Sequence, residues 1–355
     1  MTSPAAASRE DPKVKARILD PSEIPWQDLD TFDDRVVFQT REWVDFVAAT
    51  QRARPVVVEL RDGGDVAGYF TGLTFQRFGI RILGSSFPGW TTPYMGFNLK
   101  DGASRRDALE AIERCAFDDL ICLHMEVSDR RFSVEDGQSQ GFVTTFYESY
   151  ETDLRQPEEE IFKGMNSACR RCIRKAEKSG VTVQEAHDPG FAEEYYEQLK
   201  DVFGKQTLVP TYDLERVQAL IRHLHPAGRL LLVRALDAGG KCIGTGIYPG
   251  FNKVAEFWGN ASYRSMQILR PNETLHWYAM RYWKARGIEF FDWGGGGTYK
   301  EKYGPYPIAV PWFSKSKYKL LGKLRETAKG LVRARQLVLG HLRAKPAATA
   351  PESDE

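Results

Sequence analysis

One order of elements occurs twice in this chain, offset by about 170 residues, and that repeat restricts the available folds more than any other feature. In the first copy, residues 38–50 place Trp43, Phe46 and Val47 at helical spacing behind Thr40, a capping residue. Two apolar strands, 55–60 and 66–75, flank a DGG turn, which predicts a hairpin. A loop rich in glycine and aromatics, 84–97, then leads to a helix over 105–118 and a strand over 120–127. In the second copy, helices over 191–203 and 213–223 precede strands 229–236 and 242–251 around an AGG turn, and 254–261 forms another strand. A helix over 272–286 then feeds a strand over 288–293. Two such copies imply a duplicated α/β module with a mixed sheet, and 355 residues suffice for two domains. The expected division is a disordered tail 1–16, a first module 17–155, a linker helix 156–180, a second module 181–314, a basic helical segment 315–345 and a tail 346–355.

Composition is that of a globular protein, with 42% hydrophobic and 27% charged residues. No apolar run approaches the roughly 18 residues of a membrane span. Residues 1–16 lack the apolar centre of a secretion signal, so a cytoplasmic protein is expected. The net charge of +1 hides an uneven distribution. Over 315–345 the basic residues are Lys315, Lys317, Lys319, Lys323, Arg325, Lys329, Arg333, Arg335, Arg343 and Lys345, against Glu326 as the only acid. Such a segment faces anions, either RNA or the inner surface of a membrane, or is a solvated amphipathic helix. The five cysteines are scattered and read as reduced thiols. Cys169 and Cys172 form a lone C-x-x-C read as packing, and no metal site is expected.

The linker helix carries Ile161, Met165, Ala168, Cys172 and Ala176 as one apolar stripe. Arg170, Arg171, Arg174, Lys175 and Lys178 cover the rest, either as a solvated face or as contacts to phosphates. Later, 288–306 reads IEFFDWGGGGTYKEKYGPY. Four consecutive glycines cost backbone entropy and bury no side chain, so they mark either a loose bulge or close approach of a ligand to the backbone. Asp292, at the strand end, is one candidate base, although an acid before glycines also caps turns. Glu256, on a strand in mid-module, is the other, and His276 reads as a packing histidine.

The segments RRCIRKAEKSGV (170–181) and LRPNETLHWYAMRYWKARGIEFFDWGGGGTYKEKYG (269–304) resemble the FemABX family of tandem GNAT-fold transferases, in the form without a coiled-coil arm. The resemblance implies two packed GNAT modules and transfer of an aminoacyl group from aminoacyl-tRNA to an amine, often on a peptidoglycan precursor. Similar relatives are acyl-CoA-dependent N-acyltransferases. It further implies a donor channel with Lys300, beside Tyr299, and Lys302 is the competitor for that role on the donor. From the residues themselves, Gly294, Gly295, Gly296 and Gly297 can present free amides to an acyl carbonyl or a phosphate, and Arg264 and Arg270 can bind a donor phosphate through their side chains. Lys205, Gln206 and Tyr212 would meet the acceptor, with Trp90, Tyr94 and Trp258 lining its groove. No tightly bound cofactor is implied, only aminoacyl-tRNA or acyl-CoA as co-substrate.

Two departures bear on those expectations. The run before the 272–286 helix, YRSMQILRPN, lacks the glycine with which acyl-CoA enzymes cradle pyrophosphate. The lysine that the peptidoglycan branch places soon after its N-terminal tryptophan is replaced by Val44, Asp45, Phe46 and Val47 after Trp43. The first departure and the basic segment favour aminoacyl-tRNA as donor, with a cell-envelope precursor or a small metabolite as acceptor. An acyl-CoA N-acyltransferase and a non-catalytic nucleotide-sugar or anion-binding module are the alternatives.

Overall fold

The strands of both copies pair into one sheet in the computed structural model, which describes residues 13–204, 210–320 and 322. The first copy runs β1 (Val14–Ile18), α1 (Trp26–Leu29), α2 (Arg41–Gln51), β2 (Arg54–Asp62), β3 (Asp65–Arg77), β4 (Ile80–Ser85), β5 (Gly96–Leu99), α3 (Arg105–Arg114), β6 (His124–Ser128), α4 (Val134–Gln138) and β7 (Val143–Asp153). After α5 (Glu158–Gly164) and α6 (Ser167–Lys178), the second copy runs β8 (Thr182–Glu185), α7 (Phe191–Gly204), α8 (Leu214–Leu224), β9 (Leu230–Leu236), β10 (Cys242–Phe251), β11 (Val254–Glu256), β12 (Gly259–Ser262), α9 (Pro271–Ala285), β13 (Phe290–Asp292) and β14 (Tyr306–Ser316).

Strand order is β1-β2-β3-β4-β6-β14-β7-β13-β11-β10-β9-β8, with β5 on β3 and β12 on β10. Each copy has one parallel pair, β4 with β6 and β11 with β13. A parallel pair needs a crossover, which α3 and α9 provide. The copies interlock at the centre. β14, from the second copy, lies antiparallel between β6 and β7 of the first, and β7 pairs in turn with β13.

The apolar periodicity explains the packing. Trp43, Phe46 and Val47 of α2 meet Val217 and Leu220 of α8 in one buried cluster, so the two copies share a core. Thr40 caps α2 as the sequence predicts, accepting from the Trp43 amide. The linker, expected as one helix, breaks at Met165–Asn166. Asn166 caps the restart by accepting from the Cys169 amide at 2.8 Å, and Arg170 donates to the carbonyls of Lys163 and Met165 at the end of α5. The strand expected over 254–261 also splits. β11 pairs with both β10 and β13, whereas β12 pairs only with β10, so the sheet opens just after Glu256. At the N-terminus, residues 14–16, assigned to a tail by sequence, belong to β1 and pair with β2. The basic segment lies mostly outside the described residues. Among the described residues no helix is long and apolar enough to cross a membrane.

Charged groups fasten the seam between copies. Arg229, before β9, bridges Asp30 and Glu42 of the first copy, 2.6 Å from Glu42. Asn252 donates to the carbonyls of Phe32, Asp33 and Arg35 at 3.1–3.2 Å. Since the Arg229 side chain is only 14% exposed, Arg229→Ala strands Glu42 at the seam and leaves Asp30 with Arg35 alone. A loss of about 2–4 kcal/mol in denaturant unfolding is expected, somewhat below that for a fully buried pair.

Candidate active site

The first half of the glycine stretch is tightly held, and its second half, Gly296 and Gly297, is exposed. β13 delivers Asp292 into the interior with no exposure, and the chain then turns through Gly294 at φ +67°. A Cβ at Gly294 would sit 2.3 Å from the Phe257 carbonyl oxygen, so only glycine fits there. The Lys300 ammonium reaches back under the loop. It donates to the carbonyls of Trp293, Gly294 (3.1 Å) and Gly295 (2.8 Å), which uses all three of its N–H bonds. The loop is therefore wound around a buried cation.

Asp292 organises the other side. It accepts from the Tyr94 hydroxyl (3.0 Å), the Ser149 hydroxyl (2.7 Å) and the Gly294 amide (2.9 Å). Tyr94 in turn accepts from Arg130 (2.9 Å), and Arg130 also pairs with Glu151. Ser149 additionally accepts from the Gly295 amide at 3.0 Å. The amides of Gly294 and Gly295 are thus committed within the fold. Those of Gly296 and Gly297 have no partner among the described residues, and a Cβ at Gly296 would meet nothing within 4 Å.

Glu256 ends β11 opposite Asp292 in the parallel register. It is 5% exposed, and its Oε2 has no hydrogen-bond partner among the described residues. Burial pushes its carboxyl well above the ordinary carboxylate range, the charge of Asp292 adds to this, and Lys300 opposes it. Asp292 is also raised by burial, opposed by Arg130, the Ser149 hydroxyl and the Gly294 amide. Burial pulls Lys300 down to about 8, against Asp292 and Glu256, so the ammonium still predominates at neutral pH. Two buried acids in the field of one buried lysine have the character of a candidate proton-handling site. An unpaired buried carboxylate oxygen is the kind of exception that structural packing alone leaves unexplained.

Residues 164–303 match the family described as an acetyltransferase (GNAT) domain. This segment is a GNAT acyltransferase domain. The structure of FemX superposes with a TM-score of 0.72 at 13% identity, over 87% of this chain and 99% of that one. A conserved protein of unknown function from Bacteroides thetaiotaomicron gives 0.55 at 14% identity, over 82% and 95%. L-PGS from Bacillus licheniformis gives 0.52 at 12% identity, over 81% and 90%. At such identities the likeness establishes the fold, two GNAT modules packed as in FemX. No curated protein matches the chain in sequence. The GNAT domain match makes the protein an enzyme of acyl transfer.

Within this domain, the place where an acyl-CoA donor would seat its pyrophosphate is the N-terminus of α9. Arg270 precedes it in left-handed conformation (φ +63°), and Pro271 at the first helical position brings no N–H. Glu273 sits in the first turn, 7% exposed, and pairs with Lys302 at 2.7 Å. A carboxylate already occupies the electropositive end of the helix, so these residues do not fit a pyrophosphate.

Several sequence expectations change accordingly. Lys300 belongs with the glycines as predicted, but as the internal anchor of the loop rather than as a free cation facing substrate. Lys302 is committed to Glu273. Tyr94 and Trp90 are 0% and 2% exposed, so they do not line a groove with their side chains; Tyr94 supports Asp292 and Trp90 packs in the core. Tyr212 is hydrogen-bonded to Tyr195 at 2.7 Å, beside Trp258. Arg264 and Arg270 are exposed, and Tyr299 is exposed next to Gly297. Lys205 and Gln206 lie outside the described residues. His276 is buried against Tyr248, at 3.0 Å, and burial pulls its pKa down to about 3, ahead of Lys302 and Lys300, so it is a neutral packing histidine. Arg130, Ser149 and Glu151 were invisible to motif reading, because they come from the first copy and no pattern links them to Asp292.

Lys300→Met is expected to leave three buried carbonyls without their donor and to cost about 3 kcal/mol or more in denaturant unfolding, with faster amide exchange at 294–297. Glu256→Gln should act in the opposite direction. A carboxyl whose folded pKa is raised binds its proton more tightly when native, so wild-type stability falls as pH rises above the ordinary value of 4.5 toward the raised one. The melting temperature of Glu256→Gln should therefore gain on wild type between pH 5 and pH 8, and a constant difference would show that Glu256 ionises normally.

Proposed function

We propose that the protein transfers an aminoacyl group from an aminoacyl-tRNA to an amine acceptor, a cell-envelope precursor or a small metabolite. The observation that carries the donor assignment is the filled N-terminus of α9, where Pro271 and the Glu273–Lys302 pair stand in place of a pyrophosphate seat. In this reading Glu256 is the general base. The acceptor nitrogen attacks the ester carbonyl, a C–N bond forms, Glu256 takes the amine proton, and the same proton passes to the ribose oxygen as its C–O bond breaks. The unpartnered amides of Gly296 and Gly297 supply donors for the oxyanion, on a loop whose shape Lys300 and Asp292 hold. The site needs no tightly bound cofactor. We place the enzyme in the cytoplasm, with segment 315–345 as a further contact to RNA or to the inner face of a membrane.

The description of the matching family as an acetyltransferase domain favours acyl-CoA as the second reading. The two separate in one assay that supplies an amine acceptor pool with charged tRNA or with acyl-CoA, with and without ribonuclease, and follows product mass. Product from charged tRNA that vanishes with ribonuclease is expected; product that requires a coenzyme thioester and survives ribonuclease would overturn the donor assignment. In the productive assay Glu256→Gln is expected to lower kcat by roughly 10²–10⁴ and to abolish the acid limb of the pH–rate profile.

A further inference from the structure

Beside the closed end of α9 lies a cleft of about 630 Å³ whose charged lining is entirely basic: Arg171, Arg174, Lys175 and Lys178 of α6, with Arg270. The four α6 cations follow i, i+3, i+4, i+7 spacing, which puts them on one face, opposite the buried Cys169, Ile173 and Ala176. The face runs for about 10 Å at the helical rise, enough to meet more than one phosphate of a strand. All four are exposed, and Arg174 rests over the Phe162 ring at 5.4 Å. Acids on neighbouring helices do not neutralise them. Glu160 pairs with Lys163, Glu158 with Arg281 and Glu273 with Lys302. None of the five cleft cations forms an ion pair among the described residues. Arg170, by contrast, is consumed by the carbonyls that end α5.

We propose that this α6 face and Arg270 bind the phosphate backbone of the donor RNA. The proposal rests on the aminoacyl-tRNA reading and moves the principal RNA contact from the basic segment 315–345, where the sequence alone would put it, to the linker helix. A cluster of unneutralised cations spaced along a helix suits successive phosphodiesters better than one compact pyrophosphate. Its place next to Arg270, Glu273 and Lys302 sets bound RNA on the side of the domain from which the short 3-10 helix of residues 298–303 leads back to the glycine loop.

The test measures equilibrium binding of an uncharged tRNA acceptor-stem hairpin by fluorescence anisotropy over a salt series, using the full chain. Arg171→Gln with Lys175→Gln changes two exposed residues and leaves the buried face of α6 intact. Binding about tenfold weaker, with the slope of log K against log salt reduced by about one to two, is the expected result. Unchanged affinity and slope in that variant would overturn the proposal. So would a loss confined to Arg333→Gln with Arg335→Gln, which would assign the RNA to the C-terminal segment. Coenzyme A binding to wild type that disappears in the α6 variant, without RNA binding, would make the cleft a pyrophosphate seat and also overturn it. RNA bound through α6 by a protein that transfers nothing from charged tRNA supports the binding face and removes the donor reading, so the two failures are distinguishable.

Discussion

A single buried carboxylate, Asp292, holds the three parts of the site together. Its acceptor positions are filled by Tyr94 from the loop before β5, by Ser149 from β7 and by the Gly294 amide. The first two belong to one copy of the module and the third to the other. The geometry of the glycine loop therefore depends on the two copies being locked, and the interleaving of β14 between β6 and β7 does that locking. Arg130, held by Tyr94 and Glu151, keeps positive charge near Asp292. Burial opposes that charge, but Tyr94, Glu151 and Asp292 together push the Arg130 pKa upward.

The same burial divides the labour between two acids. Asp292 has its lone pairs occupied by donors and is positioned to orient. Glu256, one strand away, has an oxygen with no partner among the described residues, which is what the proposed base requires. Lys300 lies near both, yet its three N–H bonds point at backbone carbonyls, so its charge acts as a fixed field beneath the loop rather than as a ligand for substrate. Preorganised charge of this kind requires no rearrangement when the reaction proceeds.

The second organising constraint is the end of α9. A helix N-terminus attracts anions, and here the chain's own Glu273 satisfies that attraction. Among the described residues, unpaired positive charge stands instead on α6, the helix that carries the most distinctive run of the linker.

Much of this architecture was legible in the residues. The repeated helix, hairpin, helix and strand order is local periodicity, and local periodicity survives into the fold; Thr40, Asp213 and Gly180 punctuate their helices where the pattern places them. That Asp292, Lys300 and the glycines form one local unit was also readable, because an acid, four glycines and a lysine in so few residues have little reason to occur together in a packed domain. What the sequence could not show was direction and partnership. Whether Lys300 faces substrate or its own backbone, whether Tyr94 lines a groove or supports a carboxylate, and how β7 and β14 cross between copies all depend on contacts between residues far apart in the chain. Sequence by itself determined the duplicated α/β module and the residue types of the site, because these follow from spacing and side-chain chemistry; only the tertiary structure decided which acid is satisfied, which is free and which cations are unneutralised, because burial and hydrogen bonding exist only once distant segments meet.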